Sequence, residues 1–220
     1  MRVLTAELLD GLAADDPRAM RSRRDLVLIN AIMRQQAIMA RALSDCPPPR
    51  VWADLGGGDG RFLLGVARRM AKCWPRVQLL IVDQRDIVAP GTRAGFEALG
   101  WRCETRPGDV FGDMPAADLI TANLFLHHFD DAALERLLAA VAARTGIFVA
   151  CEPRRGRLAL VAAHLVGLLG CNDVTRHDAV VSVQAGFAGR ELSRLWPHGW
   201  RLNEGAAFPF THVFQARRDV

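Results

Sequence analysis

A chain of 220 residues that is half hydrophobic is long enough for one domain with one large core, which excludes a disordered chain and a small disulfide-stapled fold. Its net charge of +4 and pI near 9.1 come almost wholly from arginine, and the arginines are scattered among acids instead of forming one basic run, which argues against nucleic-acid binding. The cysteines Cys46, Cys73, Cys103, Cys151 and Cys171 contain no Cys-x-x-Cys and read as reduced thiols of a cytoplasmic protein, and no stretch approaches the ~20 apolar residues of a membrane span.

The first fifty residues read as helical. The charges in Met1–Asp10 deny it the apolar core of a signal peptide, and Thr5 is placed to cap a helix bearing Leu8, Leu9 and Leu12. Pro17 suits the first turn of the next helix. A longer amphipathic helix is expected to follow, with Leu26, Leu28, Ile29, Ile32, Met33, Ile38, Met39 and Leu43 on its apolar stripe.

After the breaker Pro47-Pro48-Pro49, Val51–Leu55 is a short apolar strand, and the apolar spacing of Phe62, Leu63, Val66, Ala67 and Met70 has helical period. Between them stand Gly56, Gly57, Gly58 and Gly60. Such a loop can wrap closely around a ligand held at the helix N-terminus, or be an ordinary tight turn. A dinucleotide fingerprint needs a further glycine where Arg61 stands, and a P-loop needs Gly-Lys-Ser/Thr, whereas the only lysine is Lys72. What remains is acidic Asp54 at the strand end, Gly-x-Gly-x-Gly, and Asp83 ending the next apolar strand, Val77–Asp83. This arrangement resembles motif I of the class I S-adenosylmethionine-dependent methyltransferases.

The resemblance implies a cofactor, S-adenosylmethionine (its product S-adenosylhomocysteine), held by Asp54, Gly56, Gly57, Gly58, Asp83, Gln84, Asp109, Val110 and Asn123. Asp83 would accept both ribose hydroxyls, since ligands of open parallel sheets sit beyond the carboxyl ends of the strands. After a helix around Gly95–Leu99 and a third strand over Trp101–Arg106, Asp109 would meet the adenine amino group and Val110 the ring. It also implies that the N-terminal helices cover the active-site mouth, where Asn30 and Arg34 are placed to reach the cofactor's carboxylate.

The second informative stretch is Ala117–Asp131. Its strand ends near Asn123, and a helix over Asp131–Arg144 begins behind two aspartates suited to its positive end. Two adjacent histidines lie in the turn between them. The context His127-His128-Phe129-Asp130-Asp131 is similar to that of the general-base histidine in O-methyltransferases of the plant phenolic type, and the resemblance carries that role to His127, with His128 capping. No metal site is expected, because neighbouring histidines lack a third ligand at helical spacing. An Asn/Asp-Pro-Pro-aromatic motif is absent after this strand, which disfavours methylation of nucleic acids.

The fifth strand, Gly146–Pro153, ends in Glu152, which can orient His127 or a substrate group, or pair with Arg154 or Arg155, the ion pair being the expectation. An apolar helix over Leu158–Leu169 and a second run over Ala179–Phe187 then form an insertion, read as a lid and substrate wall or a homodimer interface, with Asn172, Arg176, His177 and Asp178 as a polar specificity cluster. A short helix at Gly189–Leu195 and strands near Gly199–Glu204 and Phe210–Arg217 close the chain.

The expected fold is therefore α/β, a Rossmann-like class I methyltransferase fold. The sheet has seven strands, in an order 3-2-1-4-5-7-6 that the resemblance implies. The expected parts of this single domain are a helical cap (1–48), a cofactor-binding core (49–156), a lid (157–188) and a closing helix and hairpin (189–220). The expected activity is O-methylation of a small hydroxylated aromatic. C-methylation of an electron-rich ring, a non-catalytic S-adenosylmethionine-binding protein and an RNA-binding module are the alternatives. The stretch Gly170–Val180 adds a resemblance to small bacterial methyltransferases that accompany type III polyketide synthases.

Overall fold

Strands that are apolar along their whole length have to be covered on both faces, and the chain meets this with a central parallel sheet. In the computed structural model, which describes residues 1–13, 15–112 and 114–218, the strands are β1 (Val51–Leu55), β2 (Gln78–Asp83), β3 (Arg102–Pro107), β4 (Leu119–Asn123), β5 (Ile147–Pro153), β6 (Trp200–Ala207) and β7 (Thr211–Arg218). The last two positions of the expected closing segment lie outside the described residues. The order is β3-β2-β1-β4-β5-β7-β6, with β7 antiparallel to β5 and β6 antiparallel to β7, as the resemblance implied. β1, β2, β4 and β5 are buried almost throughout, while the edge strand β6 alternates between half-buried and exposed.

The helices are α1 (Leu8–Gly11), α2 (Pro17–Ile32), α3 (Gln35–Ala42), α4 (Arg61–Met70), α5 (Pro90–Glu97), α6 (Asp131–Ala142), α7 (Arg157–Leu165), α8 (Asp173–Ala185) and α9 (Glu191–Leu195). One core lies between the sheet and α3, α4 and α5, around Met39, Leu63, Val66 and Phe96, with Trp52 edge-on to Trp74 and Trp101. The other is built by α6 and α9, where Leu134, Leu137, Leu192 and Trp196 pack on Phe148 and Phe214. All five cysteines are unpaired. Among the described residues no helix is long and apolar enough to cross a membrane.

Three local expectations are corrected. The helix expected over 26–43 is two, because Arg34 turns left-handed (φ 56°) and sends α3 onto α4 and β5 while α2 packs on α8. Apolar periodicity reports a face; it does not report a turn between two helices that share one. Thr5 caps nothing. The Leu8 and Leu9 N–H groups that open α1 donate instead to the Asp178 carboxylate at 2.8 and 3.0 Å, so the orphan amides of that helix end are satisfied from α8. Asn172 and Asp173 begin α8, the Asn172 side chain accepting from Thr175 N–H, so part of the expected specificity cluster is a helix cap.

Candidate active site

The glycine turn between β1 and α4 is built by conformations that side chains resist. Gly56, Gly58 and Gly60 have φ of 70°, 54° and 72°, and Gly56 N–H donates to Val82 O at 2.8 Å. Gly57 is required by closeness: a Cβ there would lie 2.7 Å from Ile81 Cγ2 and 3.0 Å from Asp54 Oδ2, whereas one on Gly58 would meet nothing within 4 Å. The turn is thus pressed to the sheet on one side and open at Gly58. Asp83, half-buried at the end of β2, accepts Gly58 N–H at 2.9 Å and Arg85 N–H at 3.1 Å, so it holds the turn's shape and keeps lone pairs for a ligand.

Asp54 lies beneath the turn, 1% exposed, where the β1–β4 register sets it opposite Thr121. The Thr121 hydroxyl donates to its carboxyl and accepts Trp52 Nε1–H at 2.7 Å. Burial pushes the Asp54 carboxyl up to about 8; the Thr121 bond opposes this and the Asp83 charge adds to it. A carboxyl raised above its ordinary 3.8 supports folding fully below about pH 4, and that support is lost as pH rises toward about 8. Asp54→Asn is therefore expected to flatten the fall in stability across this window. Urea midpoints at several pH values check it, and an unchanged slope would refute it.

Gln84 and Asp109 are exposed beyond β2 and β3; Asp109 accepts Phe111 N–H at 3.0 Å, and Val110 is buried beside it. Asn123 ends β4 with its Oδ1 buried and unpartnered among the described residues. The next residue, Leu124, is strained at φ 52°. An orphaned buried acceptor, a cradle that a Cβ would fill and a carboxylate at the strand end fit the polar groups of S-adenosylmethionine. Arg34 is exposed, and Asn30 has an unpartnered buried Oδ1. A cleft of about 450 Å³ runs beside the turn between α2 and the α4 end, lined by Met20, Arg24, Asp59, Arg61 and Ile87.

His127 and His128 stand in a 3-10 turn, Leu126–His128, after β4. Against the expected ion pair, Glu152 meets neither Arg154 nor Arg155. It is fully buried, accepts the Phe125 and Leu126 N–H groups at 3.0 and 2.8 Å, and pairs with His127 Nδ1 at 2.8 Å. Arg155 turns to Glu191. Glu152 has only acceptors to offer when ionised, so the hydrogen-bond network assigns a His127 proton to Nδ1, while Nε2 faces the Glu7 carboxylate at 3.2 Å and becomes an acceptor only once Glu7 moves away.

Two site residues were not foreseen, and both come from the N-terminal segment. Glu7 lies 3.2 Å from His127 Nε2 and 3.5 Å from His128 Nε2 and accepts from the Ser182 hydroxyl. Arg2 donates to the carbonyls of Ala185 and Phe129 and to Asp131 at 2.8–2.9 Å and lies 4.3 Å over the Phe187 ring, fastening the segment to the histidine turn. Nothing local in the sequence signals either, since their partners lie more than a hundred residues away.

Burial alone would disfavour charge on all three titrating groups. For His127, bonds to Glu152 and Glu7 outweigh it and raise the pKa; for His128, bonds and charge from Glu7 raise it to about 9; the two histidines in turn hold Glu7 well below the usual carboxylate range. Beside them Phe125, Phe129 and Phe111 form an aromatic wall, with centroid separations of 5.1 and 5.8 Å.

The chain is 33% identical over 89 residues to a phenazine O-methyltransferase of Lysobacter antibioticus, covering 40% of this chain and 25% of that protein. It is 31% identical over 146 residues to the acetylserotonin O-methyltransferase of Mus musculus, covering 60% and 36%. The human N-acetylserotonin methyltransferase, solved in complex with S-adenosylmethionine, superposes with a TM-score of 0.61 at 18% identity, covering 96% of this chain and 61% of that one. The chain thus spans about a third or less of the curated relatives it matches. The sequence profile of the O-methyltransferase domain matches residues 11–178, and with the strand order and glycine turn this establishes that the chain belongs to the O-methyltransferase domain family.

Proposed function

We propose that the protein transfers the methyl group of S-adenosylmethionine to a hydroxyl of a small aromatic metabolite, of polyketide or other origin. The observation that carries this reading is the carboxylate–histidine pair: His127, oriented at Nδ1 by a fully buried Glu152, lies against the His128 ring, which neighbours Phe125 of the phenylalanine wall. The likeness to enzymes named for phenazine and acetylserotonin supports the substrate class.

When bound, S-adenosylmethionine supplies an electrophilic methyl on a sulfonium. The chain's own residues do the rest. Gly56, Gly57, Gly58 and Asn123 cradle the cofactor, Asp83 and Gln84 engage its ribose, Asp109 and Val110 its base, and Asp54 supports the turn from below. His127 Nε2 takes the acceptor's proton, and Glu152 stabilises the imidazolium that results. Glu7 covers that nitrogen in the closed arrangement, so an acceptor has to displace it on entering. The apolar α7–α8 insertion, whose α8 packs on the histidine turn and on α1, serves as the substrate wall; its outward face, with Leu158, Val161, Leu165 and Leu168 exposed, suits a second copy of the chain.

Incubation with S-adenosylmethionine and a panel of phenols, catechols and hydroxylated polycyclic aromatics is expected to give O-methyl products, identified by mass spectrometry and by loss of the phenolic proton. Methylation only at ring carbon would reassign the reaction. Cofactor binding without transfer to any hydroxylated aromatic would overturn the reading.

A further inference from the structure

The N-terminal segment completes a cluster that neither part of the chain forms alone. Glu7 approaches His127 Nε2 to 3.2 Å and His128 Nε2 to 3.5 Å, and Asp10 Oδ2 lies 3.7 Å from His128 Nε2. Each of Glu7, His127 and His128 offers a donor atom, and these atoms all lie within 4.8 Å of one another. An ion with four ligands at about 2.0–2.1 Å in a tetrahedron sets neighbouring donors roughly 3.3 Å apart, so the observed separations need little movement to close on one.

The other side of each ring is also built. His127 Nδ1 is fixed on the Glu152 carboxylate at 2.8 Å, and His128 Nδ1 on the Phe125 carbonyl at 2.9 Å. These are the carboxylate and carbonyl partners that metal-ligating histidines use to hold their tautomer, and they aim both Nε2 atoms at Glu7, where a bound ion would replace their protons. A simple ion-pair cluster does not require that both rings be anchored in this way. The Glu7 side chain is 14% exposed and His128 28%, whereas Asp10 is 66% exposed, so the cluster opens to solvent on the Asp10 side, where an ion can enter and keep a water.

We propose that Glu7, His127 and His128, with Asp10 or a water as fourth ligand, form a binding site for a divalent transition ion. Two imidazole nitrogens with carboxylate oxygens favour zinc and its neighbours over magnesium or calcium. The bound ion ties the N-terminal segment to the histidine turn. It also takes the same His127 Nε2 that the proposed base would use, so a loaded site and base assistance exclude each other. The binding itself does not depend on methyl transfer.

The test uses the full chain stripped with a chelator, titrated with zinc against a competing chromophoric chelator, and with cobalt followed by visible absorption. Expected are one tightly held ion per chain and the strong d–d bands of four-coordinate cobalt without a thiolate charge-transfer band. Glu7→Gln and His128→Asn, checked for fold by circular dichroism, should each weaken binding at least tenfold, and Glu152→Gln by about 10–100-fold through the ring it anchors. No binding by the folded parent, equal binding by the variants, or a thiolate band marking a cysteine site would overturn the proposal. S-adenosylhomocysteine titration of the same samples reports the cofactor site separately.

Discussion

Replacing Asp83 with alanine is expected to weaken S-adenosylhomocysteine binding by two orders of magnitude or more, measured calorimetrically against the parent chain. A hydrogen bond to a charged group is worth about 1.5–3 kcal/mol, and in the proposed role the carboxylate accepts both ribose hydroxyls and so makes two of them; each 1.4 kcal/mol is tenfold in affinity. The carboxylate also accepts Gly58 and Arg85 N–H, so its loss releases the glycine turn as well as the ribose. Asp83→Asn separates the two effects, since the amide oxygen can still accept one of these bonds while the charge is gone. Retention of affinity within a few-fold in Asp83→Ala would remove the ribose role. A folded parent that binds no S-adenosylhomocysteine would remove the cofactor reading altogether.

The part of this site formed by residues close in sequence was legible before the structure. Gly56 to Gly60 and Asp83 are joined by one strand–turn–helix–strand unit, so their types and spacing already determine which backbone groups converge. The β1–β4 register that buries Asp54 against Thr121 is a different matter: it depends on two strands 67 residues apart, and the acidic residue read as cofactor-binding lies under the turn, not at its open side. Glu152 shows the same limit. In sequence its neighbours are Arg154 and Arg155, and adjacency favoured an ion pair, but Glu152 lies in the fully buried end of β5, where the Phe125 and Leu126 amides and His127 take its carboxylate, and Arg155 turns to Glu191.

The N-terminal segment was the least legible. Its use in the fold depends on Asp178 capping α1 from 170 residues away and on Arg2 reaching the carbonyls of the histidine turn. Helical periodicity carries no information about which end group of a distant helix will satisfy an exposed amide. The same blindness hid the cluster with Glu7: two adjacent histidines lack a third donor at helical spacing because that donor comes 120 residues earlier in the chain.

His127→Ala is expected to lower kcat by about 10²–10⁴-fold while leaving S-adenosylhomocysteine affinity within a few-fold of the parent. In the proposed mechanism the imidazole takes the acceptor's proton, and the cradle of glycines with Asp83 is formed elsewhere, so the loss should fall on the chemical step. The variant should still exceed the uncatalysed reaction by a wide margin, because holding donor and acceptor in line can contribute about 7–11 kcal/mol and needs no base. Glu152→Gln should show part of the same kcat defect, since an amide can hold the Phe125 and Leu126 N–H groups but stabilises an imidazolium poorly. A more acidic phenol needs less help in losing its proton, so the defect in both variants should shrink as the acceptor's pKa falls. If His127→Ala kept most of its kcat on a weakly acidic phenol, the histidine would be a wall of the pocket, and the proposed methyl transfer would proceed by positioning alone.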